Sequence, residues 1–220
     1  MASWFAWSAF AADALFPRPL HLVRRVEDPI AGKTATLHEY CAGDQVVTVN
    51  GARVVIADYG KQQLTEIDRA AGTYSITRFD ELAKTNAAAP QASGDNIKVE
   101  VGVDRNTRLS RAAVEVLIGA AYPNARRAEH ELILRAAAGG DKDKRLVANS
   151  VDVASDYALP VEQTLTIIED GQRITMRNSI VEVRSELAPD DVRLIPPGAR
   201  LIESRITRLA RELHDLDRLH

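Results

Sequence analysis

The sequence has a single cysteine, Cys41, so no disulfide can close within the chain and no cysteine-based zinc site can form. This does not fix the compartment, because envelope proteins can also lack disulfides. Cys41 itself reads as a small, half-buried strand residue rather than a reactive thiol. An excess of one charge is missing too. The 28 basic and 31 acidic side chains leave a formal charge of -3, so no global field draws the chain to nucleic acid or to an anionic membrane. Long apolar runs are absent: the richest, Met1 to Phe16 with Trp4, Phe5, Trp7 and Phe10, falls short of the ~20 residues that cross a bilayer as a helix.

That N-terminal run contains Ala9-Phe10-Ala11, a small-x-small pattern of the kind a signal peptidase accepts, but no Lys or Arg precedes Arg18 and its apolar core is short. Three readings stay open: a truncated signal peptide, a peripheral amphipathic segment, and an ordinary terminal segment packed on the domain. Residues 1–20 are set apart on this basis, with Pro17 and Pro19 marking the start of one domain over 21–220. A body of this length buries ~70 per cent of its unfolded surface.

Catalytic constellations are also missing. There is no Gly-x-Ser-x-Gly elbow, and His130-Glu131 has no second histidine four residues on. Ala138-Gly139-Gly140 runs into charges instead of opening a helix that would cradle phosphate. His21, His38, His130, His214 and His220 are scattered without ligand spacing. Asp141/Asp143 and Asp190/Asp191 fall in expected loops, where they read as solvated surface. A non-enzymatic chain without metal or cofactor is the expectation.

What is present is a meander. Gln45–Val49, Arg53–Ala57, Gln63–Ile67 and Thr73–Thr77 are rich in Val, Ile, Thr and Tyr, and Asn50-Gly51, Tyr59-Gly60-Lys61 and Arg69-Ala70-Ala71-Gly72 divide them. Connections this short join only antiparallel neighbours. His21–Val26 and Thr34–Tyr40 read as two strands ahead of the meander, and Asp80–Lys84 as one or two helical turns behind it. Thr85–Asn96 reads as a flexible connection.

Ile97–Val103 alternates apolar and polar like a half-buried strand. Ala113–Ala121 and Glu129–Ala136 hold Ala and Leu compatible with helix or strand. The alternation of His130, Leu132, Leu134 and Ala136 favours strands for both. Leu146–Val153 reads as a further strand, and Val161–Glu169 and Arg173–Val183 as a hairpin through Asp170-Gly171. Leu194-Ile195-Pro196-Pro197-Gly198 is expected to be extended. Ile202, Ile206, Leu209, Leu213 and Leu216 then recur at helical spacing, with Arg208–Glu212 and Arg211–Asp215 at i,i+4 on the other face. This helix is expected to cover the sheet of its own chain, which makes the protein a monomer.

The run from Arg53 to Leu82, with Ile56, Asp58, Tyr59, Lys61, Leu64, Ile67, Asp68 and Tyr74, resembles the bacterial outer-membrane lipoprotein carrier and sensor superfamily and its uncharacterised relatives. Leu159-Pro160-Val161, Asp170-Gly171 and Ile195-Pro196-Pro197-Gly198 are similar to patterns of its C-terminal half. The resemblance covers most of Gln45 to Leu201 in short motifs of common turn residues. It implies an α+β, mainly β fold: an unclosed, curved antiparallel half-barrel covered by helices, with an apolar hollow that holds acyl chains. It also implies a periplasmic or envelope location. Arg53 is nearest to the arginine that fixes the lid in the carriers, although the residues around it depart from that motif.

On this basis Val54, Ile56, Leu64, Tyr74, Ile76, Leu132, Leu134, Leu165 and Ile167 are the candidate ligand-binding residues. The leading functional expectation is the first of two, and the second is its alternative. The first is a binding protein that takes a lipid or lipoprotein acyl chain. The second is an interaction or sensor domain, with an envelope protein as partner, in which the same residues only fill a core.

Overall fold

The computed structural model describes residues 14–28, 32–88, 97–121, 127–138, 157–169, 172–205 and 207–208. Ten strands make one unclosed, mainly antiparallel sheet, with four helices among the described residues, so the fold is α+β and mainly β. The strands are β1 (Phe16–Asp28), β2 (Lys33–Gly43), β3 (Gln45–Asn50), β4 (Arg53–Asp58), β5 (Gln63–Asp68), β6 (Thr73–Arg78), β7 (Ile97–Leu109), β8 (Tyr157–Glu169), β9 (Gln172–Arg184) and β10 (Arg200–Leu201). The helices are α1 (Phe79–Ala88), α2 (Arg111–Ala121), α3 (Arg127–Ala137) and the single turn α4 (Asp190–Arg193). The hydrogen-bonded order is β10-β6-β5-β4-β3-β2-β1-β9-β8-β7. The contacts divide the chain into two compact units, the first comprising 1–21, 38–89 and 184–220, the second 22–37 and 90–183.

In the first unit the meander β3 to β6 is antiparallel throughout, as its short turns require, and β10 adds to β6 in parallel. Register places two rows side by side on one face: Val49, Val54, Ile67, Tyr74 and Val47, Ile56, Thr65, Ile76. Val47, Val54 and Ile67 are buried beneath Ala188, with Tyr40, Val49, Ile56, Tyr74 and Val192 packed around them. Removing one such side chain from water contributes about 1.5 to 3 kcal/mol. Ala188 and Val192 belong to a strap, residues 185–193, that follows β9. On the reverse face Cys41 is fully buried instead of half-buried, and Val46 is buried beside it in register.

The turns differ in detail from expectation. Asn50 pairs with Arg53, so Gly51 and Ala52 are the central residues of the first hairpin, and only Gly51, at φ 57°, is left-handed. That is the pattern of a turn with glycine first, not of one requiring positive φ twice. Pro17 and Pro19 lie inside β1, so the strand starts earlier than the prolines indicated. The Pro196 carbonyl accepts the Ala199 N–H at 3.0 Å, and Gly198 has φ 78°, so Pro197-Gly198 turns the chain where an extended run was expected. Asp190 and Asp191 open α4 rather than a loop.

In the second unit two segments expected to be strands are helices, α2 and α3. Ser110 starts α2 by accepting the Ala113 N–H on its hydroxyl at 3.1 Å, and Arg111 pairs with Glu115 one turn on. Ala113, Val114, Leu117 and Ile118 are then buried at helical spacing. In α3 the residues turned inward are Glu129, Ile133 and Ala137, four apart, so the alternation through Leu132 and Leu134 was incidental. Val114, Ile118, Ile133, Ala137 and Tyr157 form the core, with Val99, Val101, Leu109 and Leu134 packed on it. β7 runs six residues past Val103, through register shifts at Gly102/Val103 and Asp104/Arg108. β8 and β9 pair as a hairpin whose last pair is Glu169–Gln172.

Several expectations lie outside the described residues: the N-terminal run up to Asp13, most of the Thr85–Asn96 connection beyond Ala88, the strand over 146–153, the Asp170-Gly171 turn, Asp141 and Asp143, and the C-terminal helix beyond Arg208, with Leu209, Leu213, Leu216 and both i,i+4 pairs.

Candidate functional site

The candidate ligand residues separate into two sets. Val54, Ile56, Leu64, Tyr74 and Ile76 belong to the first unit, Leu132, Leu134, Leu165 and Ile167 to the second. In the first set Val54, Ile56, Tyr74 and Ile76 share a face. Leu64 lies on the opposite one, in a row with Val46, Ala57 and Thr77. Val54 is fully buried, Ile56 and Tyr74 are half-buried, and Ile76 is 43% exposed. In the second set Leu132 is exposed on α3, Leu134 packs against the helical core, and Leu165 is buried on β8 opposite Val99 and Met176. Ile167 pairs with Ile97 and Ile174, and its side chain is outside the described set.

Arg53 is exposed and lines a cleft of about 200 Å³ with Glu66, Asp68, Glu203, Arg205 and Arg208. Val54, Val55, Ile67, Tyr74 and Ile202 line the same space, so apolar and charged groups share it.

The most organised polar group in the first unit is one that sequence spacing missed. His21 on β1 is 2% exposed, yet both ring nitrogens have partners. Nδ1 lies 3.2 Å from Glu186 Oε2, and Nε2 lies 3.1 Å from His38 Nδ1. The Tyr40 ring stacks on His21 at 4.0 Å and 15°. His38 and Tyr40 sit on β2 two residues apart, opposite Val49 and Val47, so they begin the two rows of the apolar face. Glu186 precedes Ala188, the strap residue that covers that face, by two positions.

Burial is the main cause that lowers the His21 imidazole below its ordinary 6.5. The hydrogen bond and charge of Glu186 oppose it, and His38 and Arg184 reinforce it. Burial likewise raises the Tyr40 phenol, helped by Glu186 and Asp191 and opposed by Arg184. The strap is held at both ends. Ser185 Oγ donates to the Pro19 carbonyl at 3.2 Å, and Arg69 pairs with Asp191 at 3.7 Å. No group of three His, Cys, Asp or Glu with metal-binding geometry occurs among the described residues. His21, His38 and Glu186 make a chain of hydrogen bonds, not a chelate.

No protein-family model and no curated protein matches the sequence. Two solved crystal forms of PNGF-II are similar to 88% and 85% of this chain, at 8% identity and TM-scores of 0.40 and 0.39. The chain spans 32% of the length of that protein, and the likeness is too low to carry an argument.

Proposed function

We propose that the chain is a non-enzymatic interaction or sensor domain whose sheet face in the first unit is filled by its own strap. The observation behind this reading is the seating of Ala188 on Val47, Val54 and Ile67, with Val192 alongside. A carrier of acyl chains needs that space empty, and here its best apolar positions already have partners. The cell-envelope location and an envelope protein as partner rest on the sequence resemblance alone, carried by short motifs over most of Gln45 to Leu201.

The acyl-chain reading keeps one point in its favour. Ile76 continues the row beyond the strap and is 43% exposed, so an apolar ligand has a place to start. Native mass spectrometry of protein purified from cells separates the two. The filled-core reading expects a ligand-free, folded chain that shifts no lipid probe at neutral pH. A lipid that co-purifies in stoichiometric amount, and is lost on Val54→Trp, makes the protein a carrier instead.

A further inference from the structure

The sheet order ends on β7, and no described strand pairs with its far side. The opposite end is β10, two residues long, so β7 is the one long open edge among the described strands. Such an edge carries unpaired N–H and C=O groups that template a further strand unless a proline, a bulge or charge of one sign spoils it. From Ile97 to Gly102 there is no proline, and pairing with β8 runs in unbroken register up to the shift at Gly102/Val103. The charges there, Lys98 and Glu100, are of opposite sign. Val99 and Val101 pack on the helical core, so Lys98 and Glu100 stand on the other face, 65% and 62% exposed, with Nζ and Oε1 2.5 Å apart. Their neighbours on β8, Thr166 and Thr164, are uncharged.

We propose that β7 pairs antiparallel with β7 of a second copy of this chain, about a two-fold axis at Val99, so that the two sheets run on as one. An axis normal to the sheet keeps the helices of both copies on one side and matches like faces of the two strands. Centred on Val99, it sets Lys98 opposite Glu100 of the second copy, Glu100 opposite Lys98, and Val101 opposite Ile97. The four charges then form a square in which every neighbour, along a strand or across the pair, has the opposite sign. Register is fixed by this square. An axis moved to Lys98 brings the two lysines face to face, and one moved to Glu100 brings the two glutamates, and like charges directly opposite are destabilising.

A second copy is the occupant because this edge is its own complement. Lys98-Val99-Glu100 read in reverse is an acid, a valine and a base, the order an antiparallel partner must present. A strand from another protein would have to bring that order independently. The pairing also closes at two copies, since each chain has one β7 and the two-fold uses both edges. The shift at Gly102/Val103 ends the regular run just past Val101, which confines the ladder to Ile97–Val101. The contact lies wholly in the second unit, so it stands apart from the filled-core reading of the first. It also leaves aside the C-terminal helix, the element on which the expectation of a monomer rested.

The test is sedimentation of the full chain at about 1 to 100 μM, with far-UV dichroism to check folding. The wild type should approach twice its 24.1 kDa as concentration rises. Lys98→Glu alone and Glu100→Lys alone each fill the square with one sign and should weaken the dimer at least about tenfold. Both changes in one chain restore the alternation and the dimer. Mixing the two single variants should restore it as well, as a mixed dimer, which a merely structural role for either side chain would not produce. A wild type that stays at 24.1 kDa at the highest concentration overturns the proposal and leaves the edge to a strand of another protein. A dimer that both single changes leave intact overturns it too, as do particles that grow beyond two copies. If a single variant does not fold, amide hydrogen exchange of the wild type decides: amides within 97–101 slow as concentration rises, or the pairing is wrong. Lipid co-purifying with the protein bears on the filled-core reading alone.

Discussion

Asp58 and Asp68 end consecutive strands of the meander, and each carboxylate accepts the backbone N–H three residues on, from Lys61 at 2.8 Å and from Ala71 at 2.9 Å. The same device shapes two successive four-residue loops, but the environments differ. Asp58 is 6% exposed and also accepts from Gln45 Nε2 at 2.7 Å, with Lys61 Nζ at 3.4 Å. Burial raises its carboxyl, and the Lys61 N–H, the Gln45 amide and the Lys61 charge together outweigh that, so it is held below the ordinary 3.8. Asp58→Ala should therefore cost about 1.5 to 3 kcal/mol, and Asp68→Ala about 0.5 to 1.5. Equal shifts in urea midpoint would show that the Gln45 and Lys61 side chains add nothing.

Left-handed backbone marks a second contrast. Gly51 has φ 57° and open space where a Cβ would stand, so Gly51→Val is opposed by backbone geometry alone. The expected loss is about 1 to 3 kcal/mol. Gln62 has φ 54° and is the one described non-glycine residue there, at the loop position that Gly72, φ 62°, holds in the next turn. Gln62→Gly should raise stability by up to about 1 kcal/mol, the relief of strain offset by greater freedom of the unfolded chain. Thermal melts of both variants check the pair, and a destabilised Gln62→Gly would mean that its side-chain contact with the Tyr59 carbonyl outweighs the strain.

Acid sensitivity follows from His21. Its folded imidazole titrates below the 6.5 of the unfolded chain, so between the two values the unfolded chain binds more protons. Stability from this group is fully present above 6.5 and falls as pH drops toward the folded value. The melting temperature of the wild type should decline as buffer pH is lowered from about 7.5 to 5, a range that leaves Asp58 ionised. His21→Gln should start lower and slope less. An equal slope in the variant would place the sensitivity at other groups.

The meander was legible because its signals are local: runs of six residues rich in β-branched side chains, the first three each closed by a turn whose Gly or Asp lies within four positions. The His21 site was not. It joins residues 17 and 165 positions apart, and depends on which strand pairs with which and on where the strap returns. Each histidine alone has the look of an isolated polar residue on a strand. Val54 with Ile56, and Tyr74 with Ile76, were legible as pairs sharing a face of their own strand, but that register joins them and that Ala188 and Val192 cover them was not, since neither strap residue belongs to an apolar repeat.

Helix α3 provides the sharpest test of the second unit, because helix and strand assign adjacent residues opposite surroundings. As a strand, Leu132 and Leu134 would face inward and Ile133 outward. In the helix Ile133 is 3% exposed and packs with Val114, Ile118 and Tyr157, whereas Leu132 is 44% exposed. Ile133→Ala removes buried methyl groups and leaves a cavity between two helices, so the expected loss is about 2 to 5 kcal/mol. Leu132→Ala, at an exposed position, should stay within about 0.5 kcal/mol, since alanine also favours the helix. Chemical denaturation followed by far-UV dichroism reads both. A large loss for Leu132→Ala with little for Ile133→Ala would restore the strand, and with it Leu132 as a ligand-facing residue.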